Sequence, residues 1–458
     1  MTLSTRRLAL LVAANTALAP FAIDAYLPAM AALAESVGAS IHHTELSLSA
    51  FLAGFALGQL LFGPLSDRIG RKPVLLGGLV VFLLASLAII TVGSLSELLA
   101  WRFVQALGGG ATVVNSAAIV RDCFSGREAA RVMSTMAIIM LLAPLVAPVV
   151  GSGLLYLGEW WLIFIFLAAY AAFLMWLLGT RLPETRAPGS PTASLRQVLS
   201  NYASVLRHRE AMGYISAASM SFAGLFAFIT ASPFLYLEHY GLSPGLYPLV
   251  FGLNVVTMAA SNRLNIRLLR WRSPQQNLRL GLGIQLGVAL GLALVLASGL
   301  ESLWTVVPLV MVFAGTIGLV APNAISALLD HFHHMSATAA ALQGSIQFSC
   351  GALAGVLVGA FEVDSAWPMV GTMLGAALLG NRALEAGDHA GELLQAAHLS
   401  DLLHLREQVV QARAVEQLRG RAYVLDGDDD SKLAVLRSLA KTDFYASQWR
   451  PVPKNFTI

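Results

Sequence analysis

The chain has 458 residues, of which 57% are hydrophobic and only 12% charged, and its mean hydropathy is +0.69. A soluble domain carries about 25% charged residues, so this composition excludes an ordinary cytosolic globule and a disordered chain alike. The net charge of +3 is uninformative as a total, but the placement of the charges is not. The two cysteines, Cys123 and Cys350, sit in or beside apolar segments and suggest neither a disulfide framework nor a metal site.

A bilayer core of about 30 Å needs about 20 apolar residues as a helix. Twelve stretches meet that need: 8–28, 45–65, 74–93, 96–119, 133–156, 160–180, 212–236, 245–262, 280–299, 303–329, 337–360 and 366–381. The last has the shortest uninterrupted apolar run. The first does not read as a cleavable signal peptide. Arg6 and Arg7 give it a basic start, but Pro20, Asp24 and Pro28 interrupt it and no small-residue cleavage site follows.

Loop charges set the orientation. Eighteen Lys and Arg residues fall in alternate connections, from Arg6 and Arg7 through Arg68, Arg71 and Lys72 to Arg272 and Arg279, and none falls in the connections between them. So complete a split predicts that both termini are cytoplasmic and supports the count of twelve spans. The tenth span is followed by a cytoplasmic loop that lacks Lys and Arg and carries His331, His333 and His334 instead. These histidines do not repeat at the i, i+4 spacing of a helical metal pair, so no metal site is read there.

The spans divide six and six. Residues 1–180 form an N-terminal half, 181–211 a Pro- and Ser-rich cytoplasmic linker, and 212–381 a C-terminal half. Two six-helix halves suggest a transporter whose substrate site lies between them. Residues 382–458 form a polar cytoplasmic tail of unknown role, with ten basic and eleven acidic residues. Its Asp426-Gly427-Asp428-Asp429-Asp430 run lacks the spacing of a calcium loop. No phosphate-cradling loop, nucleophile elbow or metal-ligand set appears, so neither ATP-driven transport nor membrane hydrolysis is supported.

Away from the ends of the expected spans, two ionisable residues stand inside them, Asp24 and Arg102. Each costs about 2.5–3.5 kcal/mol to insert at a helix centre, which makes both functional candidates. Asp24 lies four residues before Pro28, about 6 Å along a helix, and Arg102 six after Ser96, about 9 Å. The two therefore share the outer half of the membrane, where they are placed to pair. Pro20 loosens the helix one turn before Asp24. A membrane-embedded acid argues for proton coupling.

Between spans two and three stands Gly63-Pro64-Leu65-Ser66-Asp67-Arg68-Ile69-Gly70-Arg71-Lys72-Pro73-Val74-Leu75. It resembles the G-x-L-x-D-R-x-G-R-K-x-x-L signature of the major facilitator superfamily at every fixed position. Its glycines allow a tight turn, Asp67 can meet a helix dipole, and the basic pair anchors the turn at the anionic surface. Pro20-Phe21-Ala22-Ile23-Asp24-Ala25-Tyr26-Leu27-Pro28 is similar to the P-x-x-I-D-x-Y-L-P element of Bcr/CflA-type drug:proton antiporters. Arg102 to Gly108 resembles the R-x-x-Q-G pattern with Ala106 in place of glycine. Ala143-Pro144 with Ala147-Pro148-Val149-Val150-Gly151 resembles the antiporter hinge motif, with Ser152 at its second glycine. The likeness covers roughly residues 5–381.

The resemblance implies a twelve-helix, two-half major facilitator fold in a bacterial inner membrane, working as a monomer. It implies efflux of drug-like small molecules in exchange for protons, driven by the proton motive force without a cofactor. Asp24 is then the proton-coupling residue and Arg102 its charge partner. Gly63, Asp67, Arg68, Gly70, Arg71 and Asp122 form the cytoplasmic gating motif, with Asp122 bridging Arg71. Pro144, Pro148 and Gly151 form the hinge. Tyr26, Gln105, Asn254 and Gln347, with Gln343, are candidates to line the substrate cavity. Neither a nucleic-acid partner nor an enzymatic reaction is expected. Proton-coupled uptake and a non-transporting sensor that acts through the tail are the alternatives.

Overall fold

The structure, a computed structural model, describes residues 5–124, 126–186, 194–332, 335–361 and 364–389. The expectations for His333 and His334 and for the tail beyond 389 lie outside those residues. All regular structure among the described residues is helical. The helices are α1 (Thr5–Asp24), α2 (Met30–Ser36), α3 (Ile41–Ile69), α4 (Arg71–Ile89), α5 (Leu95–Cys123), α6 (Gly126–Leu157) and α7 (Trp161–Arg181). They continue with α8 (Leu195–Arg207), α9 (Arg209–Pro233), α10 (Tyr247–Leu268), α11 (Pro274–Ala297), α12 (Leu303–Gly315), α13 (Ile317–Asp330) and α14 (Ser336–Gly359). The last described helix, α15, covers 367–389.

The apolar runs set the helix bodies, and polar residues at the membrane edges set the ends. Ser40, Ser94, Ser273 and Ser302 each turn a hydroxyl onto the backbone three residues on and so cap α3, α5, α11 and α12. Gly70 separates α3 from α4 at φ 112°, a left-handed conformation that favours glycine. Ten segments are long and apolar enough to cross a membrane. With α10 and α15 they make up the twelve-helix, two-half architecture.

Several spans differ from the sequence expectation. Span one does not end at Pro28. It passes through a 3-10 turn, Leu27–Ala29, and continues as α2 to Ser36. Asp24 is thus much farther from the outer end than about 6 Å. Span seven continues beyond Pro233 as a π-helical turn, Phe234–His239, since proline cannot supply the next helical N–H. Span ten is jointed at Thr316 between α12 and α13. Span twelve runs on to 389, past the expected boundary at 381. The linker holds the amphipathic helix α8, whose Arg196, Gln197, Ser200 and Asn201 interrupt any apolar run and leave it no resemblance to a span.

Within the N-terminal half α3 packs on α5, α4 on α5 and α7, and α1 on α6. Within the C-terminal half α9 packs on α14, α10 on α12, and α11 on α13. The halves meet along α3 with α14 and α6 with α10. Gly344, Gly351 and Gly355 of α14 make room for the side chains of Gln59, Leu52 and Ser49 of α3, and Gly359 meets the carbonyl of His42.

Candidate functional site

Span one breaks at its functional candidate. Asp24 is the last residue of α1 and is 3% exposed. Among the described residues it makes no hydrogen bond or ion pair. The break is held from two sides. Gly151 of α6 lies against the backbone carbonyl of Ala25, so closely that a methyl group there would overlap the carbonyl oxygen. On the other side Arg102 Nη2 donates to the carbonyl of Ala22 at 3.0 Å.

Arg102 is fully buried, yet it does not pair with Asp24. Its Nη1 donates to Gln105 Oε1 at 2.7 Å, and Gln105 Nε2 donates to Ser86 Oγ at 2.8 Å. Its guanidinium lies over Tyr26, 4.2 Å from the ring centroid, and over Phe51 at 4.5 Å. Aromatic faces and a released helix carbonyl thus take the place of a counter-ion. The expected charge pair is not formed in this structure. Arg102 instead splints the end of α1. Tyr26 is committed too, with its hydroxyl 3.1 Å from Ser47 Oγ. Tyr26 and Gln105 are thus both buried and hydrogen-bonded within the N-terminal half in this structure.

The C-terminal half presents polar atoms that lack partners. Asn254 donates to the Phe251 carbonyl at 3.0 Å, and its own side-chain oxygen is buried without a hydrogen bond. The hydroxyls of Tyr236 and Thr230 and the oxygen of Gln343 are in the same condition. Gln347 is half-buried one turn beyond Gln343. Tyr247 bonds Ser232 Oγ at 2.7 Å and lies within electrostatic reach of Asp24. Phe55 of α3 meets Phe348 of α14 edge-on at 4.6 Å, and Phe348 meets Phe222 of α9 at 5.2 Å. An aromatic cluster therefore bridges the halves. The hinge-motif residues Pro144 and Pro148 both lie inside α6, which passes through them unbroken.

At the cytoplasmic end the motif residues gather around Arg71. Its Nε donates to Asp122 Oδ2 at 2.9 Å, its Nη1 donates to Ser66 Oγ at 2.8 Å, and it pairs with Asp67 one turn earlier. The expected Arg71–Asp122 bridge is present. Asp67 also borders a cavity of about 140 Å³ beside Tyr202 of α8 and Thr338 in the first turn of α14. Gly63 lines the same cavity, while Arg68 is exposed and its carbonyl accepts from Arg186 Nη1 at 2.8 Å. Glu184, which lies outside the signature, was not visible from the sequence. Its carboxylate accepts from the N–H groups of Arg71 at 2.9 Å and Lys72 at 3.1 Å, closing the N-terminus of α4. Partial burial works against its charge, but the backbone N–H groups of Arg186, Arg71, Lys72 and Thr185 outweigh it and hold the carboxyl below the usual range.

The second residue missed is Glu45. The expected second span began there, which made it an end residue. In the structure α3 begins at Ile41, and Glu45 is fully buried. The Ser40 cap was the signal that could have found it. A cavity of about 660 Å³ lies away from all these groups, between α9, α14 and α15. Exposed Leu353, Leu357 and Leu379 and an apolar lining mark it as part of the lipid-facing surface. Among the described residues no cluster fit for a metal occurs.

This architecture and sequence define a membrane transporter. The sequence profile of the Major Facilitator Superfamily matches residues 12–356, and the chain belongs to that family. It is 34% identical over 357 residues to the bicyclomycin resistance protein homolog of Haemophilus influenzae, covering 78% of this chain and 89% of the relative. It is 31% identical over 373 residues to the chloramphenicol resistance protein of Pseudomonas aeruginosa, covering 77% and 84%. The human organic anion transporter MFSD10 has the same fold, with a TM-score of 0.63 at 19% identity, over 84% of this chain and all of that one.

Proposed function

We propose that this transporter exports drug-like small molecules from the cytoplasm across the bacterial inner membrane in exchange for protons, with Asp24 carrying the coupled proton. The observation that carries this reading is the isolation of Asp24: a buried carboxyl at a break in span one, within electrostatic reach of Tyr247 of the opposite half and without a basic partner. Such a carboxyl suits neutral occupancy and releases its proton when water or a cationic group reaches it. Broken membrane helices at the interface of two halves are a recurrent setting for coupling sites. The drug-like substrate is inferred from the names of the relatives, which include resistance proteins for bicyclomycin and chloramphenicol. The charge asymmetry of the loops supports cytoplasmic termini.

Protons entering along a membrane potential supply about 2.3 kcal/mol per charge for each 100 mV. One or two of them sustain a drug gradient without nucleotide or cofactor. In this cycle Asn254, Gln343 and Gln347 are the polar contacts for substrate. The Arg71–Asp122 bridge holds the cytoplasmic ends of α3, α4 and α5 together while the outer side is open.

The test is drug-dependent collapse of a pH gradient in everted membrane vesicles. Wild type should collapse it with bicyclomycin or chloramphenicol, and Asp24→Asn should not. Collapse by both proteins would remove Asp24 from coupling. No collapse by wild type, with the protein present in the membrane, would refute exchange of these drugs for protons.

A further inference from the structure

The outer end of α3 carries a carboxyl that the coupling scheme above does not use. Glu45 lies four residues into α3, about 6 Å from its start, and has no exposed surface. Both of its carboxylate oxygens are buried without a hydrogen-bond partner. It sits where the two halves close on each other. Ala231, Phe234 and Leu235 approach from α9 and its π-helical turn, Val358 from α14, and Ser365 and Met369 from the start of α15. The space left among them is a void of only about 10 Å³. A site of that size offers at most the room of one water, which cannot solvate an anion.

The ionisable neighbours can be named from every side among the described residues. On α3 itself His42 Nδ1 is 4.0 Å from Glu45 Oε2, too far for a hydrogen bond, and its ring packs on Phe234 at 4.3 Å. The backbone of Phe234 comes near the carboxyl without completing a hydrogen bond to it. Glu238 of the π-helical turn acts on Glu45 as a like charge. Tyr247 of α10 lies within electrostatic reach of both Glu45 and Asp24. The residues lining from α14 and α15 are not ionisable. With His42 neutral, a carboxylate enclosed this way, with a second acid nearby and no completed hydrogen bond, is not accommodated as an ion, whereas the neutral acid is.

We propose that Glu45 is a second proton-binding site, distinct from Asp24, that latches the outer ends of the two halves. With its proton bound, Glu45 is apolar enough for α3 to seat against α9, α14 and α15. When the proton leaves to the outer solution, the resulting anion needs water, and water enters only if the interface parts. Proton arrival from outside therefore closes the outer side. The step is protonation alone, from carboxylate and proton to carboxylic acid. The proposal is compatible with the exchange cycle above but stands on the geometry of the outer closure.

The test uses the full-length protein in lipid nanodiscs, with Cys123 and Cys350 replaced by serine. Spin labels are placed at Ser36→Cys, at the outer end of α2, and Leu300→Cys, in the outer loop after α11. Their separation is measured between about pH 5 and about pH 9, a range that spans carboxyl titration even when burial shifts it. The expected result is a separation that lengthens by several ångströms as pH rises. Glu45→Gln, which cannot ionise, should stay at the short distance throughout, and Glu45→Asp should regain the response. Asp24→Asn should keep the response while losing drug-dependent proton exchange, which separates the latch from the coupling site. The proposal is overturned if the wild-type distance does not move with pH, if Glu45→Gln moves as wild type does, or if Glu45→Asp remains closed.

Discussion

The two ends of this transporter solve the problem of holding charges in opposite ways. At the cytoplasmic end the central charges have partners: Arg71 has Asp122, Asp67 and Ser66, and Glu184 has a fan of backbone N–H groups. In the outer half Asp24 has none, Glu45 has only the His42 imidazole at 4.0 Å, and Arg102 is held by rings and a carbonyl. The first region is wet and lies in the N-terminal half and the linker, and the charges of Arg71 and Glu184 are satisfied in place. The second is dry, joins both halves at Glu45, and its acids are in order only while neutral. Paired charges fix a shape, whereas unpaired acids in a dry interface make the shape depend on a proton.

The comparison is broken most severely at the dry end. Gly151→Ala forces a methyl group into the Ala25 carbonyl. It should lower stability by about 3 kcal/mol and abolish drug resistance, read as thermal unfolding in detergent and as growth on antibiotic. Wild-type resistance in that variant would show that α6 need not touch the break. Arg102→Lys keeps the charge but loses the planar group that stacks on Tyr26 and Phe51. A loss of about 2 kcal/mol is expected, with drug efflux reduced even where the protein accumulates normally.

The wet end should respond more gently. Asp122→Asn weakens one partly exposed bridge, so stability should fall by about 1 kcal/mol or less. Its main effect should be on turnover in a vesicle transport assay, because only one of the partners of Arg71 is lost. A variant as crippled as Gly151→Ala would mean that the cytoplasmic cluster is not redundant. The smallest effect is expected for Glu184→Gln, and it carries a pH signature. A carboxyl held below its ordinary value of 4.5 stabilises the fold above that pH and loses the contribution as pH falls through its own lower value. Wild type should melt above the variant at neutral pH, and the two curves should converge in acid below that range. A constant gap across the series would mean that the charge of Glu184 is not what closes α4.

The same contrast explains what the sequence made legible. Wet features announce themselves: the Gly63 to Leu75 signature and the loop charges stand against an apolar background, and the Arg71–Asp122 bridge is present as expected. The twelve spans followed from apolar length. The dry features were harder. Asp24 and Arg102 were visible because each interrupts an apolar run, but their pairing was inferred from equal depth along straight helices. The break after Asp24 and the extension to Ser36 change that depth, and the rings of Tyr26 and Phe51 reach Arg102 first. Glu45 was missed because His42, His43 and Thr44 before it look like loop, and burial by the far half of the chain leaves no local trace.

The glycine face of α14 along α3 has a consequence for how this transporter moves. Side chains that interlock must disengage in discrete steps, but a glycine face offers the side chains opposite it a smooth track with few notches. Adding one methyl at Gly351 or Gly355 puts a notch in that track, against Leu52 and Phe226 or against Ser49 and Thr230, without touching drug or proton. This seam is therefore a place where one added methyl should slow the movement of the two halves past each other without adding a polar group between them.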